Sequence, residues 1–332
     1  MTEALAPDLS GRNVLITGGL GFIGSNIARR CLELGASVTI YDVLDPRSGG
    51  NMYNVRSFEN DVKIVLNDIR AFEGVSSVIR GQHILFNCAA YTSHPNSMKE
   101  PLIDIDVNCK GVINVLEAVR RFNRECKIVH IGTSTQIGKM VFSPITEEHP
   151  EFPVDIYSAN KSASEKYVLV YGSAYRLKTT CIRLANVFGP RSNIRSPEFG
   201  FMNFFIGLGL QNKTITVFGE GKQLRTVTFV DDVVEALILA SLADEANGQA
   251  FFAVGDRQCS VAEIAKAIGD VVGGRVQHVE WPRDREAIEI GDAVISNEKI
   301  RTRLGWNAKI DLYRGLELTR DYFQPLLSHY LE

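Results

Sequence analysis

Short apolar runs, each followed by a longer amphipathic stretch, set the rhythm of the first half of the chain. Residues 13–17 read as a strand buried on both faces, and the glycine-rich turn after them leads into a helix over 25–34. A second strand over 37–41 ends at Asp42, and further buried strands fit 63–66, 83–86, 127–131 and 180–183. Helical periodicity occupies 107–122 and 158–175. Regular alternation of this kind predicts an α/β fold, a doubly wound parallel sheet with helices on both faces.

The texture changes after Arg183. Gly189 and Pro190 punctuate the chain, 195–200 reads as a long loop, and an amphipathic helix, a strand over 214–218 and a turn at Gly219-Glu220-Gly221 follow. A helix over 227–240 and a strand over 251–254 are expected to return to the first sheet. The rest, through Trp281 and Pro282, is expected to form a smaller C-terminal α/β cap. The division is therefore 1–185 with a return at 227–257, against 186–226 plus 258–332. No internal repeat or low-complexity tract is evident.

Composition narrows the partners. The 332 residues are 45% hydrophobic and 23% charged, ordinary for a globular protein, and a formal net charge of -3 gives no reason to expect nucleic acid. A phosphorylated small molecule needs only a local positive site and stays admissible. The six cysteines show no metal-like spacing and read as small buried hydrophobes in a reducing compartment. No apolar run approaches the ~20 residues of a membrane span, and Met1-Thr2-Glu3-Ala4 lacks the basic start of a signal peptide. The expectation is a cytoplasmic protein with no metal and no membrane partner.

Between the first strand and first helix, Gly18, Gly21 and Gly24 supply a Gly-x-x-Gly-x-x-Gly turn, with Phe22 and Ile23 opening the helix. Glycines there allow a tight turn and close approach of backbone to a pyrophosphate, which the helix N-terminus then faces. The spacing departs from the usual Gly-x-Gly-x-x-Gly, but the flanking strand and helix and the acid after the second strand supply its context. This is a Rossmann-type arrangement. Asp42 is placed to accept both ribose hydroxyls of an adenosine and would repel a 2′-phosphate, which favours NAD over NADP. Arg47 is a weak counter-signal. Asp68 and Ile69 after the third strand are candidates to hold adenine, with an ordinary loop carboxylate as the competing reading.

Tyr157 and Lys161 lie four residues apart, on one face of the expected helix. A free phenol titrates near ~10. A fixed ammonium and an oxidised nicotinamide would each favour the phenolate. Bringing the value from ~10 to ~7 takes about 4 kcal/mol of differential interaction. The result would be a base able to take a proton from an alcohol while hydride leaves the same carbon. Alone the spacing is weak, since roughly one chance match is expected in a chain this long. The stretch from Gly132 to Gly138 follows the 127–131 strand, so a hydroxyl such as Thr133 is placed to share the reacting oxygen.

With these residues assembled, the chain resembles the extended short-chain dehydrogenase/reductase family, in its nucleotide-sugar epimerase and dehydratase branch. The resemblance spans nearly the whole chain. It includes the glycine turn, Asp42, Asp68, Asn87-Cys88-Ala89-Ala90, Asn108, Thr133, Tyr157, Lys161, 183–191, 219–225 and Val230-Asp231-Asp232. It implies Thr133 as hydroxyl partner, Tyr157 as base and Lys161 as ligand of the nicotinamide ribose, with Ala89 and Ala90 along the cofactor and Asn108 in support. It also implies Asn186 and Arg225 on the diphosphate of a nucleotide-diphosphate sugar, a natural task for a guanidinium. Arg283 or Arg285 would supply a second phosphate contact, with a solvated arginine as the competing reading. Ser93, or His94 beside it, would border the sugar.

Departures narrow the chemistry. The dehydratases carry Asp and Glu where this chain has Ser134 and Thr135, and the decarboxylases carry a glutamate at the position of Thr135. Neither hydroxyl can do that acid–base work at neutral pH. Ile137 and Thr226 replace a tyrosine and an aspartate of the family pattern and read as changes to the pocket lining. The reading is therefore an NAD-dependent nucleotide-sugar 4-epimerase, UDP-sugar by prior. A decarboxylase or dehydratase-like oxidoreductase is the alternative within the family, and a non-enzymatic dinucleotide-binding regulator is the third. The resemblance further implies a homodimer with a four-helix interface formed by the helices over 107–122 and 158–175.

Overall fold

The computed structural model describes residues 7–45, 48–282 and 289–331. The chain begins with β1 (Asn13–Thr17), α1 (Phe22–Glu33), β2 (Ser37–Asp42), β3 (Val62–Leu66), α2 (Phe72–Ile79) and β4 (Ile84–Asn87). Then come α3 (His94–Lys99), α4 (Pro101–Ile105), α5 (Val112–Phe122), β5 (Lys127–Thr133), α6 (Ile156–Tyr175) and β6 (Thr179–Leu184). The second half contains β7 (Val187–Phe188), α7 (Phe201–Leu210), β8 (Thr214–Phe218), β9 (Leu224–Thr226), β10 (Thr228–Phe229) and α8 (Val230–Leu242). It continues with β11 (Gln249–Phe252), β12 (Gln258–Ser260), α9 (Val261–Val271), β13 (Arg275–Val279), α10 (Glu298–Leu304) and α11 (Leu312–Phe323), and closes on a short helix, Ser328–Leu331.

Seven strands form one sheet in the order β11-β6-β5-β4-β1-β2-β3, and every pairing in it is parallel. Because parallel neighbours need crossover helices, both faces are covered and the central strands are buried and largely apolar. β4 and β6, for instance, are buried at every position. One face carries α1 and α8, with Ile27, Val233 and Leu237 against Val14, Ile16 and Ile40. The other carries α2, α5 and α6, with Val75, Val115 and Val168 against Leu15, Leu85 and Ile128. Burying each such side chain stabilises the fold by roughly 1.5–3 kcal/mol. The strand order reverses between β1 and β4, and the carboxyl ends of those strands open the crevice where ligands sit in such sheets.

α8 and β11 join this sheet after the chain has left it, β11 pairing with β6 from Gln249 opposite Thr180 to Phe252 opposite Arg183. The remaining segments add α7, α9 and a parallel pair of β8 with β13. Met202, Ile206, Ile215 and Ile264 belong to the same apolar cluster as α1 and α8, so one core runs through both parts.

Two differences from the expected pattern matter. The helix expected over 107–122 is interrupted by a π-type turn at Asp106–Gly111, which turns Asn108 inward. Ile137 and Thr226 do not line a pocket: both are fully buried, Ile137 in a cluster with Ile145, Ala185, Phe252 and Ile295. An apolar residue at 137 extends that cluster, which the sequence pattern alone does not reveal. The cysteines are all free, and burial pushes the thiols of Cys31 and Cys126 up to about 12. Among the described residues no helix is long and apolar enough to cross a membrane.

Candidate active site

The glycine turn is built by close contacts. A Cβ on Gly18 would stand 2.7 Å from the Ala89 backbone nitrogen, and one on Gly24 would stand 2.3 Å from the Gly18 carbonyl oxygen. The first contact packs the turn against the end of β4, and the second packs α1 against the turn. Gly21 is different, since its only close neighbour would be the Gly18 oxygen at 3.3 Å. It is the N-cap of α1, no side chain caps it, and the first turn, opened by Phe22 and Ile23, carries no acid. Uncapped amides with a positive helix end suit an anion such as a pyrophosphate.

Asp42 ends β2 beside this turn and is 7% exposed, its oxygens accepting from the Leu20 amide at 3.0 Å and the Leu44 amide at 2.8 Å. Burial pushes its carboxyl upward, and these amides oppose the shift. Ionised, it keeps further lone pairs for hydroxyl donors. Asp68 follows β3 and accepts from Arg70 Nε at 2.9 Å, while Ile69 is buried against α5. Together the turn, Asp42 and Ile69 fit a dinucleotide laid across the carboxyl ends of β1, β2 and β4.

Tyr157, Lys161 and Thr133 converge where β5 ends and α6 begins. Asp155 caps α6 by accepting from the Ser158 amide at 2.8 Å, and the Tyr157 amide donates to Ser97 Oγ at 3.1 Å. Those two bonds fix the first turn of the helix. One turn on, Lys161 is 3% exposed and donates to the Ile131 carbonyl of β5 at 2.5 Å. Burial lowers its ammonium to about 8, opposed by Cys181, Cys88, Glu165 and Asp104. Thr133, the last residue of β5, stands beside the Tyr157 phenol and favours its ionised form, and its hydroxyl faces Thr135 Oγ1 at 3.1 Å.

Among the chain's own groups, the balance on Tyr157 runs opposite to the expected lowering. Burial pushes the phenol well above its ordinary range, Thr133 pulls back, and Asp104 and Asp155 add to the upward shift. Asn108 is 1% exposed, donates to the Tyr91 carbonyl and Asp104 Oδ1, and accepts from the Tyr91 amide. It therefore holds the segment after β4. Ala89 follows β4, and its amide donates to Thr17 Oγ1 at 3.3 Å, with Ala90 next along the crevice.

Ser93 is 1% exposed and caps α3, accepting from the Asn96 amide at 3.2 Å. Asn186 has a positive φ of 41° and donates to the Thr226 carbonyl at 3.0 Å. Arg225 sits on β9, paired with Glu289 at 2.7 Å and donating to the Gly291 carbonyl at 2.6 Å. Asn186 and Arg225 are thus joined through neighbouring residues of one strand, and Arg225 already has a carboxylate partner. Arg283 and Arg285, like Arg47, lie outside the described residues. No group of metal-ligating side chains occurs among the described residues.

Among the neighbours of the site, His94 was expected only to border the sugar, and Asp155, Asp104 and His130 went unread in the sequence. His94 packs edge-on against Tyr157, ring centroids 4.9 Å apart, and bonds Asp155 Oδ2 at 2.8 Å. Asp155 did leave a signal, an N-cap residue directly before the helix that carries the pair. Asp104 and His130 left none, because only the fold brings them beside Lys161.

Fold and crevice together define an α/β protein built to bind a dinucleotide beside a Thr-Tyr-Lys centre. The model of the family described as GDP-mannose 4,6 dehydratase matches residues 15–319, and the chain belongs to that family, the nucleotide-sugar epimerase and dehydratase branch of the extended short-chain dehydrogenases/reductases. A UDP-glucose 4-epimerase of Mycolicibacterium smegmatis is 31% identical over 318 residues, covering 93% of this chain and 98% of that protein. A putative UDP-glucose 4-epimerase of Methanocaldococcus jannaschii is 30% identical over 306 residues, covering 92% of this chain and 96% of its own. The crystal structure of a Thermus thermophilus UDP-glucose 4-epimerase in complex with NAD is 30% identical with a TM-score of 0.83, covering 95% of this chain and 99% of that one.

Proposed function

We propose that the chain is an NAD-dependent 4-epimerase of a nucleotide-diphosphate sugar, with a UDP-sugar as substrate. The observation that carries this reading is the convergence of Thr133, Tyr157 and Lys161 at a crevice where Ser134 and Thr135 replace the acid–base pair that elimination needs. Relatives named as UDP-glucose 4-epimerases over nearly the whole chain support it.

NAD, held by Gly18, Gly21, Gly24, Asp42 and the start of α1, supplies a reversible hydride acceptor when bound. Tyr157 takes the proton of the sugar's C4 hydroxyl and later returns it. Thr133 donates to the same oxygen and keeps it oriented in both poses of the ring. Lys161 holds the cofactor ribose and lends its positive charge to the phenolate. Asn186, Arg225 and Arg283 serve the diphosphate, the fixed end about which the sugar turns to present its other face. For Arg225 this means sharing its guanidinium between Glu289 and a phosphate oxygen.

The segments 186–226 and 258–332 form the sugar-nucleotide side of the crevice. The active form is a homodimer in which α5 and α6 of each chain make a four-helix interface, and the enzyme works in the cytoplasm. Exposed apolar side chains on α6, Val170 at 54% and Tyr175 at 40%, suit such an interface.

The test is incubation with UDP-, dTDP-, GDP- and CDP-sugars, following C4 configuration by NMR. Interconversion of C4 epimers without net NADH supports the reading. Carbon dioxide from a uronic acid sugar, or stoichiometric NADH, would transfer the chain to the decarboxylases or to net oxidoreductases.

A further inference from the structure

A base must first lose its own proton, and the structure offers that proton a path. Thr133 Oγ1, on the side chain that favours ionisation of the phenol, lies 3.1 Å from Thr135 Oγ1. Thr135 Oγ1 is 2.9 Å from Ser158 Oγ, which is 3.1 Å from Asp155 Oδ2. Asp155 Oδ2 in turn meets His94 Nδ1 at 2.8 Å, and the His94 side chain is 40% exposed. Each hydroxyl has one proton and rotates freely, so the three can all point the same way. The hydrogen-bonded line therefore runs from Thr133, beside the buried phenol, to an imidazole reached by solvent.

We propose that His94 and Asp155 are a positioning pair that receives the phenolic proton of Tyr157 through Thr133, Thr135 and Ser158 and so arms the base. This rests on Tyr157 being the base. As the Tyr157 O–H bond breaks, Thr133 Oγ gains a proton and hands its own to Thr135. Thr135 does the same to Ser158, and Ser158 to the carboxylate–imidazole pair. The pair ends one proton richer, the phenol becomes phenolate, and no oxidant or reductant is involved. Thr135 is central here: the position that lacks a glutamate becomes a link in the chain.

The titratable groups around the line are His94 from α3, Asp104 from α4, and Asp155 and Lys161 on α6. His130 on β5 lies behind Lys161 with its ring nitrogen 3.5 Å from the ammonium. Burial first and Lys161 second hold His130 well below its ordinary range, so it stays neutral. On the cap side, Glu198 accepts from Asn96 of α3 at 2.9 Å. For Asp155, burial pushes the carboxyl up, but the hydrogen bond and charge of His94 and the helix-cap bonds bring it below the usual carboxylate range.

The experiment compares His94→Asn, Asp155→Asn and Thr135→Val, with Tyr157→Phe as the spectroscopic blank. Asn at 94 keeps a donor toward Asp155, Asn at 155 remains a competent helix cap, and Val at 135 keeps the shape. Ultraviolet difference titration of tyrosinate reads Tyr157 directly, and kcat against pH reads the base at work. Losing the imidazole should raise the Tyr157 midpoint by about one pH unit, and losing the carboxylate charge should lower it by about as much. Thr135→Val should cut kcat at least about tenfold and make a further His94→Asn silent in kcat. Unshifted tyrosinate titrations with parallel pH profiles in all three variants would overturn the proposal and leave the pair structural. If Tyr157→Phe itself stays active, the reading of Tyr157 as base is what fails.

Discussion

Lys161 carries its charge over a limited pH range. With its ammonium lowered to about 8 by burial, the side chain is positive below that value and neutral above it. Because the charge favours the phenolate, kcat should fall as pH rises through about 8. Unfolding would not be the cause: the unfolded chain binds more protons at this site between about 8 and the ordinary lysine value, so stability from this group rises over that window. A rate that stays level to pH 10 while the fold persists would contradict the assignment. Tyr157→Phe should lower kcat by about 10²–10⁴-fold with the fold intact; a smaller loss, measured by the same NMR assay, would mean another group takes the proton. Tyr157, Lys161, Thr133 and the glycines were legible because helical spacing and strand-end position constrain them locally. Asp155 was not, and His94 only as a residue bordering the sugar, since α3 and the start of α6 are joined by tertiary contacts alone: the His94–Asp155 and Ser97–Tyr157 bonds and ring packing.

At the scale of elements, α6 is held to β6 by ions as well as by apolar contact. Arg183 is 3% exposed in its side chain and reaches Glu165, itself fully buried, at 2.6 Å and Glu151 at 2.8 Å. Burial would raise Glu165, and Arg183 brings it below its ordinary value instead. Arg183→Met leaves that carboxylate only the exposed Lys166, at 3.3 Å, and should cost about 3–5 kcal/mol in a denaturant titration, most of it recovered by adding Glu165→Leu. A single variant within about 0.5 kcal/mol of wild type would show that water reaches Glu165. The strands of the sheet were readable from apolar runs because both faces are covered. The π-type turn at Asp106–Gly111 was not, because one extra residue in a helical turn leaves the hydrophobic period nearly intact, and the need it serves, turning Asn108 toward Tyr91, is tertiary.

For the whole molecule, α8 belongs to an apolar cluster that also takes in α1, α7 and α9, so one core runs through both parts. The proposed dimer predicts a sedimenting species of twice the chain's mass, and Val170→Arg should convert it to a monomer that still binds NAD. A monomeric wild type at micromolar concentration would remove the four-helix interface from the account. The cap's fold was legible in outline, whereas the proposed sugar was not, because the candidate residues over 93–96 and 186–226 are distant in sequence and no local pattern joins them. A substrate labelled with deuterium at C4 tests most directly where the hydride goes. Turned over with the NAD-loaded enzyme in ordinary water, a UDP-hexose carrying that label should yield its C4 epimer with the deuterium still at C4. Loss of the label to NADH or to water would contradict the account.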